Sequence, residues 1–257
     1  MTGSAVADDH GRRFLALTPQ VALVLLGIGV LLLLAVPFGW RFHLWHFRLS
    51  FQMVAWARDL AIAAAVVAAI GLLFARAAIG RPGRLLAAAI LVIGIAIVYV
   101  PWQWSELHGG PFPPINDITT DSANPPQFVA ALPARAAEQA VPATYGGTAT
   151  AQLQQSAYPD IAPAIVAASP AEAFARALAA AKASDWTILT SDPKKGIIEA
   201  SDTTLYFGFT DDIVIRVAPD GAGSRIDIRS HSRQGRGDWG VNAARIRKYL
   251  AALKAAG

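Results

Sequence analysis

Three apolar runs constrain this chain more than any other feature: PQVALVLLGIGVLLLLAVPFG at 19–39, ARDLAIAAAVVAAIGLLF at 57–74 and RLLAAAILVIGIAIVYVPW at 84–102. Each has about the 17–25 residues that a helix needs to cross a bilayer. A water-soluble core has no use for three such runs so close together. Thr18 is placed to cap the first, with Pro19 at the first helical position. GRRFLAL at 11–17 has a faint twin-arginine look. The run behind it is long, lacks an Ala-x-Ala exit and is followed by two more, so it reads as a retained helix.

Charge divides the chain in the same way. Apolar residues make up 54% and charged residues only 16%, against about 25% charged in an ordinary soluble domain. Residues 1–101 carry 8 Arg, no Lys and 3 acids, or +5; residues 102–257 carry 14 Lys and Arg against 15 acids, or −1. The net +4 therefore belongs to the membrane half. It reports topology, and no nucleic-acid partner is expected. Arg12, Arg13, Arg76, Arg81 and Arg84 fall on one side of three crossings; Arg41, Arg48 and Arg58 fall on the other. The positive-inside rule then puts the N-terminus in the cytoplasm and the C-terminal half on the periplasmic side of a bacterial inner membrane. With no cysteine in the chain, disulfides, thiolate catalysis and Cys-ligated zinc are excluded.

The first loop, WRFHLWHFRLSFQMVAW at 40–56, interleaves Trp and Phe with Arg and His. That pattern suits a segment lying in the membrane interface, matched by VPWQWSELHGG where the third run ends, with His108. His43 and His46 are three apart, but no third His or carboxylate lies near, so no metal site is expected.

From 111 to 168 the chain is rich in Pro, Ala, Gly and Gln with little periodicity. It reads as an irregular wrap with short helical turns near 127–140, or as a tether. Order becomes legible at Ser169, an N-cap with Pro170 at the first position and Glu172 closing a capping box; this helix should end near Ser184. DWTILTSDPKKGIIEAS reads as strand, turn, strand. TLYFGF, DIVIRVAP and SRIDIRSHS read as further strands, with turns at Asp211-Asp212 and at 220–223. In the last hairpin, the apolar alternation pairs Val217 with Ile226 and Ile215 with Ile228. The same register sets Arg216 against Asp227 on an exposed face. A closing helix near 239–255 carries the stripe Ile246, Tyr249, Leu250, Leu253, with Arg245, Arg247, Lys248 and Lys254 mostly elsewhere.

The expected architecture is a three-helix transmembrane anchor at 1–110, with its interfacial loop, followed by an α+β domain at 111–257. The domain consists of the irregular wrap 111–168 and a helix-sheet-helix unit 169–257. Its sheet is antiparallel, with four or five strands and two helices covering it.

Four segments carry a resemblance: PPINDITTD from 113, AYPDI at 157–161, GIIEASDTTLYFGFTDDIVIRV at 196–217 and GSRIDIRSHSRQGRGDWGVNAARIRKYL at 223–250. Together they resemble a bacterial domain of unknown function, numbered 1499, over about 113–254. Tyr206 stands where that family often has Trp, and Trp239 where it often has a smaller apolar residue. The resemblance implies no activity, cofactor or catalytic residue.

Three polar clusters are candidates for a site. The densest, RSHSRQGRGDWGVN at 229–242, offers Arg229, Ser230, Ser232, Arg233, Arg236, Asp238 and Asn242 around a helix start, where amides and guanidinium groups can hold an anion. Its plainer reading is a loop held by Asp238 capping the helix. It has no Walker pattern, so no nucleotide cofactor is implied. The second holds Asp202, Thr203, Thr204, Asp211 and Asp212; adjacent aspartates more often serve turns than chemistry. The third, in the opening PPINDITTDSANPPQF, holds Asn116, Asp117, Thr119, Thr120 and Asp121. Ile115 and Ile118 should anchor that stretch, with its acids facing the Arg-rich loop. His231 cannot serve Ser230 or Ser232, because strand neighbours point to opposite faces.

Two functions compete, beside the plainer reading of a solvated structural spacer. One is a non-enzymatic accessory, assembly or interaction subunit docked beside a membrane-protein partner, its Ala/Gly-rich second helix allowing close packing. The other is an envelope domain that binds or processes a small anionic ligand or lipid headgroup. The second requires Asp117, Thr119, Asp121, Thr203, Thr204 and the 229–242 residues to meet around one pocket; it loses ground if their charges pair with one another.

Overall fold

The computed structural model describes residues 15–74, 77–107 and 112–255, without the side chains of Trp102 and of residues 104–107. Arg12, Arg13, Arg76, His108 and the side chains of Trp102 and Trp104 thus lie outside the described residues. The chain forms two compact units, Met1–His108 and Gly109–Gly257.

The first unit holds α1 (Thr18–Arg41), α2 (Phe47–Phe74) and α3 (Gly80–Leu107). All three are long and apolar enough to cross a membrane, with 24, 28 and 22 residues in the apolar spans. At about 1.5 Å per residue, each matches or exceeds the ~30 Å hydrocarbon layer. Ala57, Ala61, Ala64, Ala68 and Gly71 share the buried side of α2. Small side chains let the backbones approach closely. A Cβ on Gly94 of α3 would come within 2.9 Å of the Ala61 carbonyl oxygen. The alanine stripe therefore packs inside this unit, against Ala22 and Leu26 of α1 and Ala87 and Ile90 of α3. Thr18 begins α1 without capping it, its hydroxyl donating to the Leu15 carbonyl at 2.8 Å.

The stretch 40–56 is mostly helix rather than a separate interfacial loop: α1 runs through Arg41 and α2 already starts at Phe47. In an apolar environment a backbone that stays helical satisfies its own hydrogen bonds. Only residues 42–46 turn the chain. His43, His46 and Phe47 gather around Trp40, with ring centroids at 6.5, 5.9 and 5.5 Å. Trp45 Nε1 donates to Ser50 Oγ (3.0 Å), which donates to the Val36 carbonyl (3.3 Å).

The second unit is a six-stranded antiparallel sheet in the order β1-β6-β5-β4-β3, with β2 also on β6. The strands are β1 (Asp117–Thr119), β2 (Ala164–Val166), β3 (Thr187–Asp192), β4 (Ile197–Thr203), β5 (Thr210–Asp220) and β6 (Gly223–Ser232). Two segments of the wrap thus supply strands, which raises the count above four or five. Its helices are α4 (Leu132–Ala137) and α5 (Gly147–Ala157); α6 (Pro170–Ala183) and α7 (Val241–Ala255) follow in the later part. The capping box of Ser169 and Glu172 forms in full. The β5–β6 register has Val217 opposite Ile226, Ile215 opposite Ile228 and Arg216 opposite Asp227, as the alternation requires.

One face of the sheet packs on α6 and α7. Ile198, Ile213, Ile215, Ile226 and Ile228 meet Phe174, Ala177, Ile246 and Tyr249 in one core, which Ile115 and Ile118 join. Tyr249 donates its hydroxyl to the Ala177 carbonyl at 3.0 Å. The other face is not exposed. The wrap covers it, so Asp227 is buried and Arg216 half-buried.

Two segments differ from the sequence reading. TLYFGF is a loop between β4 and β5, closed by Thr204: its N–H donates to the Phe209 carbonyl at 2.8 Å, and its hydroxyl accepts from the Phe209 N–H at 3.0 Å. Asp211 and Asp212 are not turn residues but buried strand residues of β5. The turn belongs to the run of aromatics because β5 starts where Thr210 pairs with Thr203.

Candidate functional site

Alternation along β5 and β6 sends the candidate residues to opposite sides of the sheet. On the helix-covered side, Ser230 and Ser232 of β6 meet Asn242 and Arg245 of α7. Ser230 donates to Asn242 Oδ1 at 2.6 Å, and Asn242 Nδ2 donates to Ser232 Oγ at 2.9 Å. Arg245 donates to Ser230 Oγ at 3.1 Å and pairs with Asp202 at 2.8 Å and Asp211 at 2.7 Å. Arg245 is buried, not part of a solvated helix face. Asp238 accepts the amides of Gly240 at 3.0 Å and Asn242 at 2.7 Å, which makes it the cap of α7. An acid at this point satisfies otherwise orphaned donors and suits the helix dipole. Gly240 has φ of 79°, and a Cβ there would press within 3.0 Å of the Phe112 ring.

On the wrapped side, Arg229 is fully buried. It makes a two-pronged pair with Asp117 at 2.8 Å through both Nε and Nη2, and donates to the carbonyls of Pro126 (3.0 Å) and Ala143 (2.7 Å). The Phe128 and Tyr145 rings lie 4.9 and 5.5 Å from its guanidinium carbon. Burial, and next the charge of Asp117, pushes the Tyr145 phenol up to about 12. Beside this pair, Arg233 and Arg135 share Asp212 at 2.7 and 2.8 Å, and Arg233 also pairs with Glu138 at 2.5 Å. A third group joins Arg216 and Arg225 to Asp121 (2.9 and 3.1 Å) and to Asp227 (2.9 and 3.0 Å).

His231 lies between the first two groups. Its Nδ1 is 3.4 Å from Arg135 Nη2 and 3.7 Å from Asp117. An arginine only donates, so this nitrogen is the acceptor of a neutral imidazole. Burial, then Arg135 and Arg229, push its pKa down to about 2. Ser230 and Ser232 point to the other side, so no serine–histidine nucleophile forms.

The remaining candidates close local structure. The Thr119 N–H donates to Gln154 Oε1 at 3.0 Å, and Gln154 Nε2 donates back to the Thr119 carbonyl at 2.7 Å; a side chain of α5 thus imitates a neighbouring strand. Thr203 and Thr210 share a hydroxyl contact of 3.1 Å across the β4–β5 pair. Asn116 Nδ2 donates to the Gly235 carbonyl at 2.8 Å, and Thr120 Oγ1 accepts the Ile228 N–H at 2.9 Å. Arg236 differs from all of these: it is exposed and makes no ion pair or hydrogen bond among the described residues. The opening stretch and the Arg-rich loop do meet, at Asp117–Arg229 and Asn116–Gly235. Thr203 and Thr204 do not join them in a pocket.

The sequence reading missed Arg135, Glu138, Gln154 and Glu199. Glu199 is the most informative. It is almost fully buried on β4 and accepts the backbone amides of Val129 (2.9 and 3.1 Å), Ala130 (2.9 Å) and Ala131 (3.1 Å) just ahead of α4. Buried carboxylates need such donors. Its position between Ile198 and Ala200 placed it opposite the helix-covered core, which reads as solvent in sequence. Among the described residues, no group of three or more His, Asp or Glu side chains is placed to hold a metal ion.

No curated protein matches this chain. The family model described as a protein of unknown function, DUF1499, matches residues 117–253. That stretch begins at Asp117 in β1, takes in all six strands and ends in α7. It covers every ion pair just described and more than half of the 257 residues, so the chain belongs to the DUF1499 family, with three apolar helices ahead of the family domain.

Proposed function

We propose that this protein is a non-enzymatic interaction domain on a membrane anchor, an accessory or assembly subunit of a membrane complex. Its N-terminus would face the cytoplasm and its α+β domain the periplasm of a bacterial inner membrane, in line with five arginines against three in the flanking segments. One observation carries the reading. Among the described residues, the candidate site arginines and carboxylates other than Arg236 are engaged with one another or with backbone groups. A charge held this way is desolvated and geometrically committed, so using it would first require breaking its pair. Purification in mild detergent after brief crosslinking in the membrane should return a defined protein partner in constant ratio. A monodisperse chain that carries no associate under those conditions overturns the reading.

A further inference from the structure

Arg58 and Asp59 sit where a membrane helix rarely carries charge. Arg58 is eleven residues into α2, counted from Phe47, so it lies within the span and not at its flank. The positive-inside count then stands at five arginines against two, in the same sense. A Cβ on Gly29 of α1 would come within 3.2 Å of the Ala57 carbonyl oxygen, so α2 is level with Gly29 at this point. Gly29 follows Thr18 by eleven residues and precedes Arg41 by twelve, which leaves more than about 16 Å of helix on either side. One turn further on, Ala61 meets Gly94 inside the apolar span of α3. The two charges are therefore level with the hydrocarbon and not with the headgroups.

They do not point into the unit. The alanine stripe of α2 packs inward. At about 100° per residue, Arg58 and Asp59 fall on the opposite side of the helix, with Ile62 and Val66. Their side chains are 57% and 61% exposed. Arg58 donates through Nε (3.0 Å) and Nη2 (2.8 Å) to one oxygen of Asp59, Oδ1. Among the described residues, Arg58 Nη1 and Asp59 Oδ2 have no hydrogen-bond partner. Ionisable groups inside a membrane almost always face a bundle interior or pair with one another, and acyl chains offer neither donor nor acceptor. This face therefore needs a polar cover. Next to the pair, Ile62 and Val66 of α2 and Gly94, Ile95 and Val98 of α3 line an apolar groove of about 400 Å³.

The order of the charges says what the cover is. Adjacent residues of one helix differ in depth by only about 1.5 Å. Two copies inserted in the same direction are related by a two-fold axis along the membrane normal, which keeps every residue at its own depth. Arg58 of one copy then meets Asp59 of the other, and Asp59 meets Arg58. A foreign helix would need an acid and a base at that same depth in the complementary order. We propose that a second copy of this chain covers this face, α2 beside α2, with Arg58 and Asp59 paired reciprocally between the copies and apolar side chains of each copy in the groove of the other. The proposal rests on the membrane-anchored part of the reading above and is independent of any different protein that the chain accompanies.

The chain has no cysteine, so single cysteines in the full-length protein can be oxidised in native membranes. Ile62→Cys, one turn from Arg58, should give at least about fivefold more disulfide-linked dimer than Leu31→Cys, which is 66% exposed on the outward side of α1. In the Ile62→Cys background, Arg58→Asp sets acids against acids and should lower the dimer yield about fivefold or more. Asp59→Arg should do the same with bases. The exchange Arg58→Asp with Asp59→Arg restores reciprocal pairing and should return the yield to within about twofold of the parent, which a change that merely damaged the fold would not do. If position 62 gives no more dimer than position 31, or if the exchange stays as low as the single reversals, the second copy is overturned and the anchor stands. A mixed disulfide from position 62 to a different protein, in place of the dimer, overturns it likewise. If alkaline carbonate washes the chain out of the membranes, the anchor and the dimer fall together.

Discussion

Along β5 and β6, adjacent residues enter two unlike environments. Ile213, Ile215 and Val217 pack with Ile226 and Ile228 under α6 and α7. Asp212 and Arg216, with Asp227, Arg229 and His231, lie under the wrap, where Phe128, Ala131 and Val214 form a small apolar cluster with Ala143 and Ile197 packed against it. The first face is held by apolar burial, non-directional and tolerant of small changes in volume. The second is held by charges whose desolvation offsets most of their attraction, so the intact pairs add little net stability although losing one partner is costly. The wrap is therefore attached by specificity as much as by burial: it fits only where Asp117, Arg135 and Glu138 find their partners.

Removing the wrap's first strand tests this contrast most severely. A chain starting at 127 loses Ile115 and Ile118 from the core and leaves Arg229 buried without Asp117. Beside a chain starting at 111 it should show no cooperative melting transition at all, as read by circular dichroism. Equal melting temperatures would return residues 113–126 to the role of a passive tether.

Single substitutions separate the two faces. Asp117→Leu leaves a buried cation unpaired and should cost about 3–5 kcal/mol. Adding Arg229→Met should recover most of that loss in denaturant titrations. Ile215→Ala should cost about 2–5 kcal/mol, and no second polar change should restore it. Failure of the double variant to recover would mean that Arg229 contributes through Pro126, Ala143 and Phe128 more than through Asp117.

Acid should weaken the wrapped face first. The folded pKa of His231 is lowered, so the folded state keeps it neutral while the unfolded chain takes up a proton below its ordinary value near 6.5. The stability it contributes is complete above that value and falls as pH drops, by about 2 kcal/mol between pH 6.5 and 5. His231→Gln should flatten the pH dependence of the midpoint in that window; an unchanged slope would assign it to other groups. The smallest effect belongs to the helix-covered side: Asp238→Ala removes the cap of α7 and should cost about 1 kcal/mol in denaturant titrations.

Much of the helix-covered face was legible in the residues. Apolar alternation set the β5–β6 register, the Ser169–Glu172 spacing marked the start of α6, and Asp238 read as a cap. The wrapped face was not. Glu199, Asp227 and Arg229 alternate with buried isoleucines and therefore read as solvent-facing, and Arg135 and Gln154 sit in a segment without periodicity. Glu199, Asp227 and Arg229 are covered by chain more than 60 residues away in sequence, at Val129, Thr120 and Asp117.

The amino-acid order was enough for three membrane-length helices, an antiparallel α+β domain and the family, because apolar periodicity and capping act over a few neighbouring residues. Whether a charge meets water, a partner or a ligand depends on which distant segment covers it. Asp117 and Arg229 were placed on facing segments by their sequence, but the fold closed Pro126, Phe128 and Ala143 over them and turned a candidate anion site into a sealed ion pair. Arg236, seven residues further along, is exposed among the described residues.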